Sequence, residues 1–352
     1  LAMSVSTIVK YKGLRLSILI GALICTEIVF AQDWGTSSPG DELGNAKALG
    51  VETWARCAQY MALPNARLYD LSHLRSNTMP ASPFGVPLKY SFRGTTGLPG
   101  TLHAFNGDTV AGEHAAQGTQ MDALGHFGYL EEAWSGEGEF PANSVKYFGG
   151  YAQKDVKPSA TSPLLKLGVD KVPPIISRGV LLDAEAYLGK GRPLAAGVSV
   201  TRADIEGMIK AQELEPILPG DVLFIHTGWG ERWTDPMTDE DYYAMGPGLA
   251  YDAVQYIGKL GVALVSLDNP FTDPVLPKQL QGQAPPPEGT PKGLPFAVHH
   301  HNLSQAGVLQ IQNSRLTEIT ADGVWEFCAM ILPLRIEGGA GSPVRPVAIG
   351  AP

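Results

Sequence analysis

Three short apolar runs limit the fold of this chain more than any other feature. Residues 180–182, 222–225 and 262–267 carry apolar side chains on consecutive or nearly consecutive positions, and Gly and Pro break the chain around them. A strand with one wet face alternates apolar and polar residues, whereas an unbroken run suits a strand buried on both faces. Helical segments separate the runs. Residues 201–211 read as a helix with Thr201 as N-cap and Asp204 at its third position. Residues 242–260 hold a second helix that starts beyond Pro247. Strands alternating with helices imply an α/β protein with a mixed or parallel sheet.

The 352 residues are 44% hydrophobic, enough for a substantial core in one large or two ordinary domains. No internal repeat or heptad pattern is present. Charged residues make up only 17%, against 41 Gly and 28 Pro, which fits a compact, loop-rich chain. Residues 32–66 read as a helical N-terminal extension, with Leu49, Trp54, Cys57 and Met61 at helical spacing before Pro64 and Asn65. The main domain is expected over 67–352. Residues 273–295 hold seven Pro and three Gly, so they form a long irregular loop, either a lid or site wall or an exposed decoration.

Residues 1–31 read as a signal peptide. Lys10, Lys12 and Arg15 precede an apolar run at 16–30, and Val29-Phe30-Ala31 offers a cleavage site. A retained anchor helix is the alternative, but the run is short and contains Glu27. Cleavage would leave a secreted or periplasmic chain with no membrane contact. It would remove three basic residues and one acidic one, leaving 23 and 34, so net charge moves from -9 to -11. That acidity, with no Lys/Arg cluster, argues against nucleic-acid partners. An exported chain would carry Cys57 and Cys328 either as one disulfide or as two buried thiols.

Residues 117–126 concentrate the chemistry. Gly118 and Thr119 precede Asp122, and His126 follows four residues later. A carboxylate and an imidazole at that spacing meet on one helix face or flank a turn, and both bind metals or move protons. A purely structural turn is the competing reading. His299, His300 and His301 form a second cluster, close to Gln312 in an alternating apolar stretch that suits a strand. Phe84, Phe92, Phe105, Phe127, Tyr129 and Trp134 would line an apolar pocket or fill a core. His103, His114 and His226 are isolated and read as structural, although His226 closes a strand whose C-terminus would line an α/β site. Motifs of serine hydrolases, zincins, P-loop enzymes and dinucleotide-binding folds are missing.

The 117–126 segment resembles the signature of the metal-dependent cyclase family, the kynurenine formamidase and isatin hydrolase type. That signature reads His-x-Gly-Thr-His-x-Asp-x-x-x-His. Gly118, Thr119, Asp122 and His126 match; Ala116 and Gln120 stand where two His are expected, a divergent Thr-Gln variant. Asp70-Leu71-Ser72-His73, residues 178–183, residues 219–229 and residues 333–346 resemble further family segments in the same order. The resemblance implies a swivelling β/β/α cyclase-like fold, a mixed barrel-like sheet flanked by helices. It also implies a homodimer or homotetramer.

By the same resemblance His300, twelve residues before Gln312, maps onto a metal-site His, and Gln312 replaces a Glu. The expected metal ligands are Asp122, His300 and Gln120. One carboxylate cannot balance two dications, so the alternatives are a single Zn or Mn ion and a metal-free site. His126 is the expected general acid or base, and Gln120 and Gln312 the groups that complete the metal shell or donate to an oxyanion. The expected activity is hydrolysis of an amide, cyclic amide or lactone of a small molecule. The competing readings are a catalytically degenerate binding protein and a lyase or isomerase with His126 as base.

Overall fold

The structure is a computed structural model that describes residues 33–352. The expected signal peptide lies outside the described residues. In chain order the strands are β1 (Arg67–Asp70), β2 (Lys89–Gly97), β3 (Ala104–Ala111), β4 (Gln120–Asp122), β5 (Ile175–Asp183), β6 (Ser199–Val200), β7 (Val222–His226), β8 (Gly248–Leu249), β9 (Leu264–Leu267), β10 (Leu309–Gln312), β11 (Glu326–Ile331), β12 (Gly341–Pro343) and β13 (Val347–Gly350). The helices that matter below are α1 (Val51–Met61), α2 (Gln153–Val156), α3 (Ala184–Tyr187), α4 (Arg202–Ala211) and α5 (Tyr251–Lys259).

A nine-stranded mixed sheet, curled into a half-barrel, runs β1-β13-β11-β5-β7-β9-β10-β4-β12. β5, β7, β9 and β10 are parallel neighbours at its centre, and antiparallel strands continue it on both sides. The three apolar runs of the sequence are β5, β7 and β9. Their alternate side chains serve two cores, as the pleat requires. Val180, Leu182, Leu223, Ile225, Val265 and Leu267 meet Ile205 and Met208 of α4 and Ala253, Val254 and Ile257 of α5. Leu181, Phe224 and Leu264 point the other way, toward Phe148, Ile311 and Phe327. Both faces are covered, which is why the strands contain no polar alternation.

Helix α4 starts as the sequence indicates. Thr201 Oγ1 accepts a bond from the Asp204 N–H at 3.2 Å, and Asp204 Oδ2 accepts from the Thr201 N–H at 2.8 Å. This reciprocal cap satisfies two donors that a helix start otherwise leaves unpaired. Thr201→Ala is expected to destabilise the protein by about 1 kcal/mol, read as a lower urea midpoint with an unchanged slope.

The helical part of 32–66 lies on the sheet. Thr53 Oγ1 of α1 donates to the Ile176 carbonyl at 3.1 Å, Arg56 pairs with Asp221 at 3.1 Å, and Cys57 is disulfide-bonded to Cys328 of β11. Of the two states left open for this pair, the structure has the disulfide. The 273–295 loop contains no helix or strand, and its start is pinned by a bridge between Val275 and Gly246. Among the described residues no helix is long and apolar enough to cross a membrane.

Candidate active site

The site forms where β4 and β10 run side by side. Their register sets Asp122 opposite Gln310 and Gln120 opposite Gln312, with Met121 opposite Ile311 between them. Directly opposed residues share a face, so Met121 and Ile311 enter the core while Asp122 and the three glutamines face the other way. The Gly118-Thr119 turn that feeds β4 is structural. Gly118 has φ 63°, its carbonyl accepts from Asn313 Nδ2 at 2.9 Å, and Thr119 Oγ1 donates to the Asn313 carbonyl at 2.7 Å. These bonds tie the start of β4 to the end of β10.

Asp122 is 1% exposed. Its Oδ2 accepts from Gln312 Nε2 at 2.6 Å and Gln310 Nε2 at 3.1 Å, and lies 3.5 Å from His299 Nε2. His299 Nδ1 lies 2.5 Å from Asp273 Oδ2, and Asp273 also accepts the Val298 N–H at 2.6 Å. The result is a buried carboxylate–imidazole–carboxylate relay. Burial alone would raise the Asp122 pKa. The neighbouring His126 and His299 charges and the donated bonds outweigh it and hold the group down to about 2. Burial likewise opposes charge on His299, but Asp122 and Asp273 lift it to about 9.

The direction of that shift gives a pH dependence. A raised imidazole pKa stabilises the fold fully below the ordinary value near 6.5 and loses that contribution as pH climbs through about 9. The melting temperature of chelator-treated protein should therefore fall between about pH 6.5 and 9, and His299→Asn should flatten part of the fall. His226, lifted to about 8, supplies another part.

The expected ligand His300 does not join this cluster. Residues 297–299 are helical and continue as a π-helical turn, His300–Ala306. Successive residues of a helix point about 100° apart, so three adjacent imidazoles cannot share a target. His299 turns to Asp122. His300 stacks edge-on against Tyr129 with ring centres 5.4 Å apart, and His301 does the same against Tyr251 at 5.6 Å. The correction is one residue along the chain, and its cause is the rotation of the helix. Asp273 and Gln310 were also missed. Gln310 was visible in principle, because it shares the period-2 face of Gln312; nothing local marks Asp273 as the partner of a residue 26 positions later.

The expected oxyanion role of Gln312 also changes. A carboxylate only accepts, so Gln312 must turn its amide N–H toward Asp122. The outward atom is then Oε1, an acceptor, which would repel an oxyanion. Gln312 Oε1, Gln120 Oε1 and Asp122 Oδ1 are all buried without a hydrogen-bond donor. Unpaired acceptors on one face are what a cation satisfies, and oxygen ligands with one imidazole suit a single hard or borderline dication. The chemistry of these residues is compatible with one ion, for which Asp122, Gln120, Gln312 and His299 would be the candidate ligands.

His126 ends the short turn Leu124–His126 that follows β4, and its side chain is exposed. Its ring centre is 6.4 Å from that of His299. Asp122 and His126 thus flank a turn rather than share a helix face. A cavity of about 1370 Å³ is lined by Phe127, Tyr129, Trp134, Phe140, Tyr147 and His300 among others. Asp122, His126 and His299 do not line it; their chain neighbours Phe127 and His300 do, and the Phe127 ring is 5.5 Å from that of His299. Residues 292–295 of the Pro-rich loop form part of the wall. Phe92 and Phe105, two of the expected pocket aromatics, are instead exposed on the β2–β3 hairpin, and Phe84 packs edge-on against Phe271. Neither His103 nor His114 is among the hydrogen-bond or ion-pair partners of Asp122.

Residues 69–274 match the family model described as "Putative cyclase". The chain belongs to this cyclase family. Among curated proteins it is similar to kynurenine formamidase of Geobacillus thermodenitrificans, 28% identical over 176 residues, 48% of this chain and 66% of that protein. It is also similar to kynurenine formamidase of Bacillus cereus, 30% identical over 108 residues, 31% of this chain and 42% of that one. The chain thus spans less than two thirds of the length of these curated relatives. Among solved structures, a cyclase crystal structure is 26% identical with TM-score 0.71, covering 88% of this chain and 94% of that one. Isatin hydrolase A from Ralstonia solanacearum shares the cyclase fold at 19% identity and TM-score 0.52, covering 81% and 92%.

Proposed function

We propose that the protein hydrolyses an amide, cyclic amide or lactone of a small, largely aromatic molecule by attack of water on a carbonyl. The observation that carries this reading is the Asp122–His299–Asp273 relay beside the exposed His126, joined to an aromatic cavity through Phe127, whose ring lies 5.5 Å from that of His299. The similarity to kynurenine formamidases supports amide hydrolysis.

Each group has a task that its geometry allows. Asp122, Gln120, Gln312 and His299 would hold one Zn or Mn ion, which supplies Lewis-acid polarisation of the carbonyl and a more acidic water. Asp273 fixes the orientation of the His299 ring through Nδ1. His126, exposed and unconstrained by a buried partner, takes the proton from water and returns it to the leaving nitrogen or oxygen. Phe127, Tyr129 and Trp134 receive the apolar part of the substrate and keep bulk water from it.

The test is a substrate panel of N-formyl arylamines, isatin and aryl lactones, run with chelator-treated protein before and after Zn²⁺ or Mn²⁺ is restored. Turnover of an amide or lactone supports the reading. No turnover with either ion, alongside tight binding of panel members, supports the degenerate binding protein instead. His126→Ala is expected to lower kcat by about 10²–10⁴-fold with little change in KM, measured by steady-state kinetics.

The Cys57–Cys328 disulfide supports an oxidising compartment, secreted or periplasmic. The β2–β3 hairpin exposes Phe92, Leu98, Leu102 and Val110, which supports a homodimer or homotetramer. Light scattering of the purified chain reads the latter directly.

A further inference from the structure

We propose that Glu185, His226 and Glu231 form a second metal site, for a divalent transition ion of the zinc class, at the C-terminal edge of the parallel strands. None of these residues belongs to the Asp122 site, and the proposal stands apart from the hydrolytic reading. His226 is the last residue of β7 and is 5% exposed. Its Nδ1 lies 3.1 Å from Asp183 Oδ1 at the end of β5. A carboxylate there takes the Nδ1–H and leaves the Nε2 lone pair free to ligate, the arrangement that orients metal-binding histidines.

Nε2 has no hydrogen-bond partner although it is buried, and the same holds for Glu185 Oε2. The two atoms are 3.7 Å apart, and Nε2 is 3.9 Å from Asp268 Oδ2. These separations are too long for hydrogen bonds. They are close to the ~3.4 Å between ligand atoms on a tetrahedral ion with bonds of about 2.1 Å. Ligand atoms of Glu185, His226 and Glu231 all lie within 4.8 Å of one another.

The surrounding loop is shaped for the gap. Asp268 is already engaged, accepting from Thr227 N at 3.0 Å, Thr227 Oγ1 at 2.6 Å and Gly228 N at 2.9 Å. It therefore holds the loop rather than the ion. Gly228 has φ 77°, and a Cβ there would lie 2.3 Å from Glu185 Oε2. Asp183, Glu185, Glu231 and Asp268 place four carboxylates around one imidazole. A dication offsets more of that charge than a single imidazolium can.

The experiment is Zn²⁺ titration of the chelator-stripped full chain by calorimetry, with thermal melts of the same samples. Asp122→Asn protein should still bind one Zn²⁺ and melt higher with it. Adding Glu185→Gln and Glu231→Gln to that background should weaken this binding at least 100-fold and abolish the Zn²⁺-dependent rise in melting temperature. Asp183→Asn, which leaves all three ligands in place, should weaken it about 10–100-fold and serves if the triple variant does not fold. Absence of Zn²⁺ binding by the Asp122→Asn protein, or equal affinity with and without the two glutamates, would overturn the proposal.

Discussion

Asp122→Asn is expected to lower kcat/KM for amide hydrolysis by about 10³-fold while the fold persists. The substitution is isosteric and keeps one acceptor oxygen for Gln310 and Gln312, which now hydrogen-bond Oδ2. It removes the only carboxylate on the β4–β10 face, and with it the charge that His299 meets at 3.5 Å. It also removes the one anionic ligand for an ion among otherwise neutral oxygens. The expected signature is a collapse of kcat with circular dichroism close to the parent and a lowered but still cooperative melting transition, because His299 loses one of its two carboxylate partners. Kinetics that are unchanged would take Asp122 out of the chemistry and leave it a structural role.

Removing the disulfide should have the largest effect on stability. Cys57 and Cys328 are 271 residues apart in sequence and almost fully buried. A cross-link that closes so long a loop restricts the unfolded chain strongly, and a loop of this length corresponds to about 5.5 kcal/mol in the chain-entropy model, above what removal of native disulfides typically costs, about 2–5 kcal/mol. Cys57→Ala with Cys328→Ala is expected to cost about 4 kcal/mol, read from urea unfolding under oxidising conditions. The parent protein in reductant should approach the double variant. Equal stability of oxidised and reduced parent would show that the packing of α1 on β5 and β11, with the Thr53 bond to Ile176 and the Arg56 pair with Asp221, is sufficient alone.

The sequence carried the fold further than it carried the site. Burial on both faces leaves a continuous apolar signature, so β5, β7 and β9 were legible from unbroken apolar runs. The Thr201–Asp204 cap was legible because it is local, three residues wide. Asp122 and His126 were legible through their spacing and resemblance. The identity of the imidazole that meets Asp122 was not. It depends on where the helical turn at Ala297–His299 begins, and a shift of one residue turns a side chain through about 100°. Asp273 was hidden for a related reason: it acts across a long irregular loop, and no periodic pattern connects it to His299. The orientation of Gln312 was hidden because an amide reads equally as donor or acceptor until its carboxylate partner is placed.

The most direct measurement of the hydrolytic account is the mass of product formed in water enriched in oxygen-18. Metal-restored protein acting on an N-formyl arylamine or a cyclic amide should place one heavy oxygen in the released or newly opened carboxylate. Product formed at the same rate without heavy oxygen would contradict water attack on a carbonyl and assign His126 to proton abstraction in a lyase or isomerase.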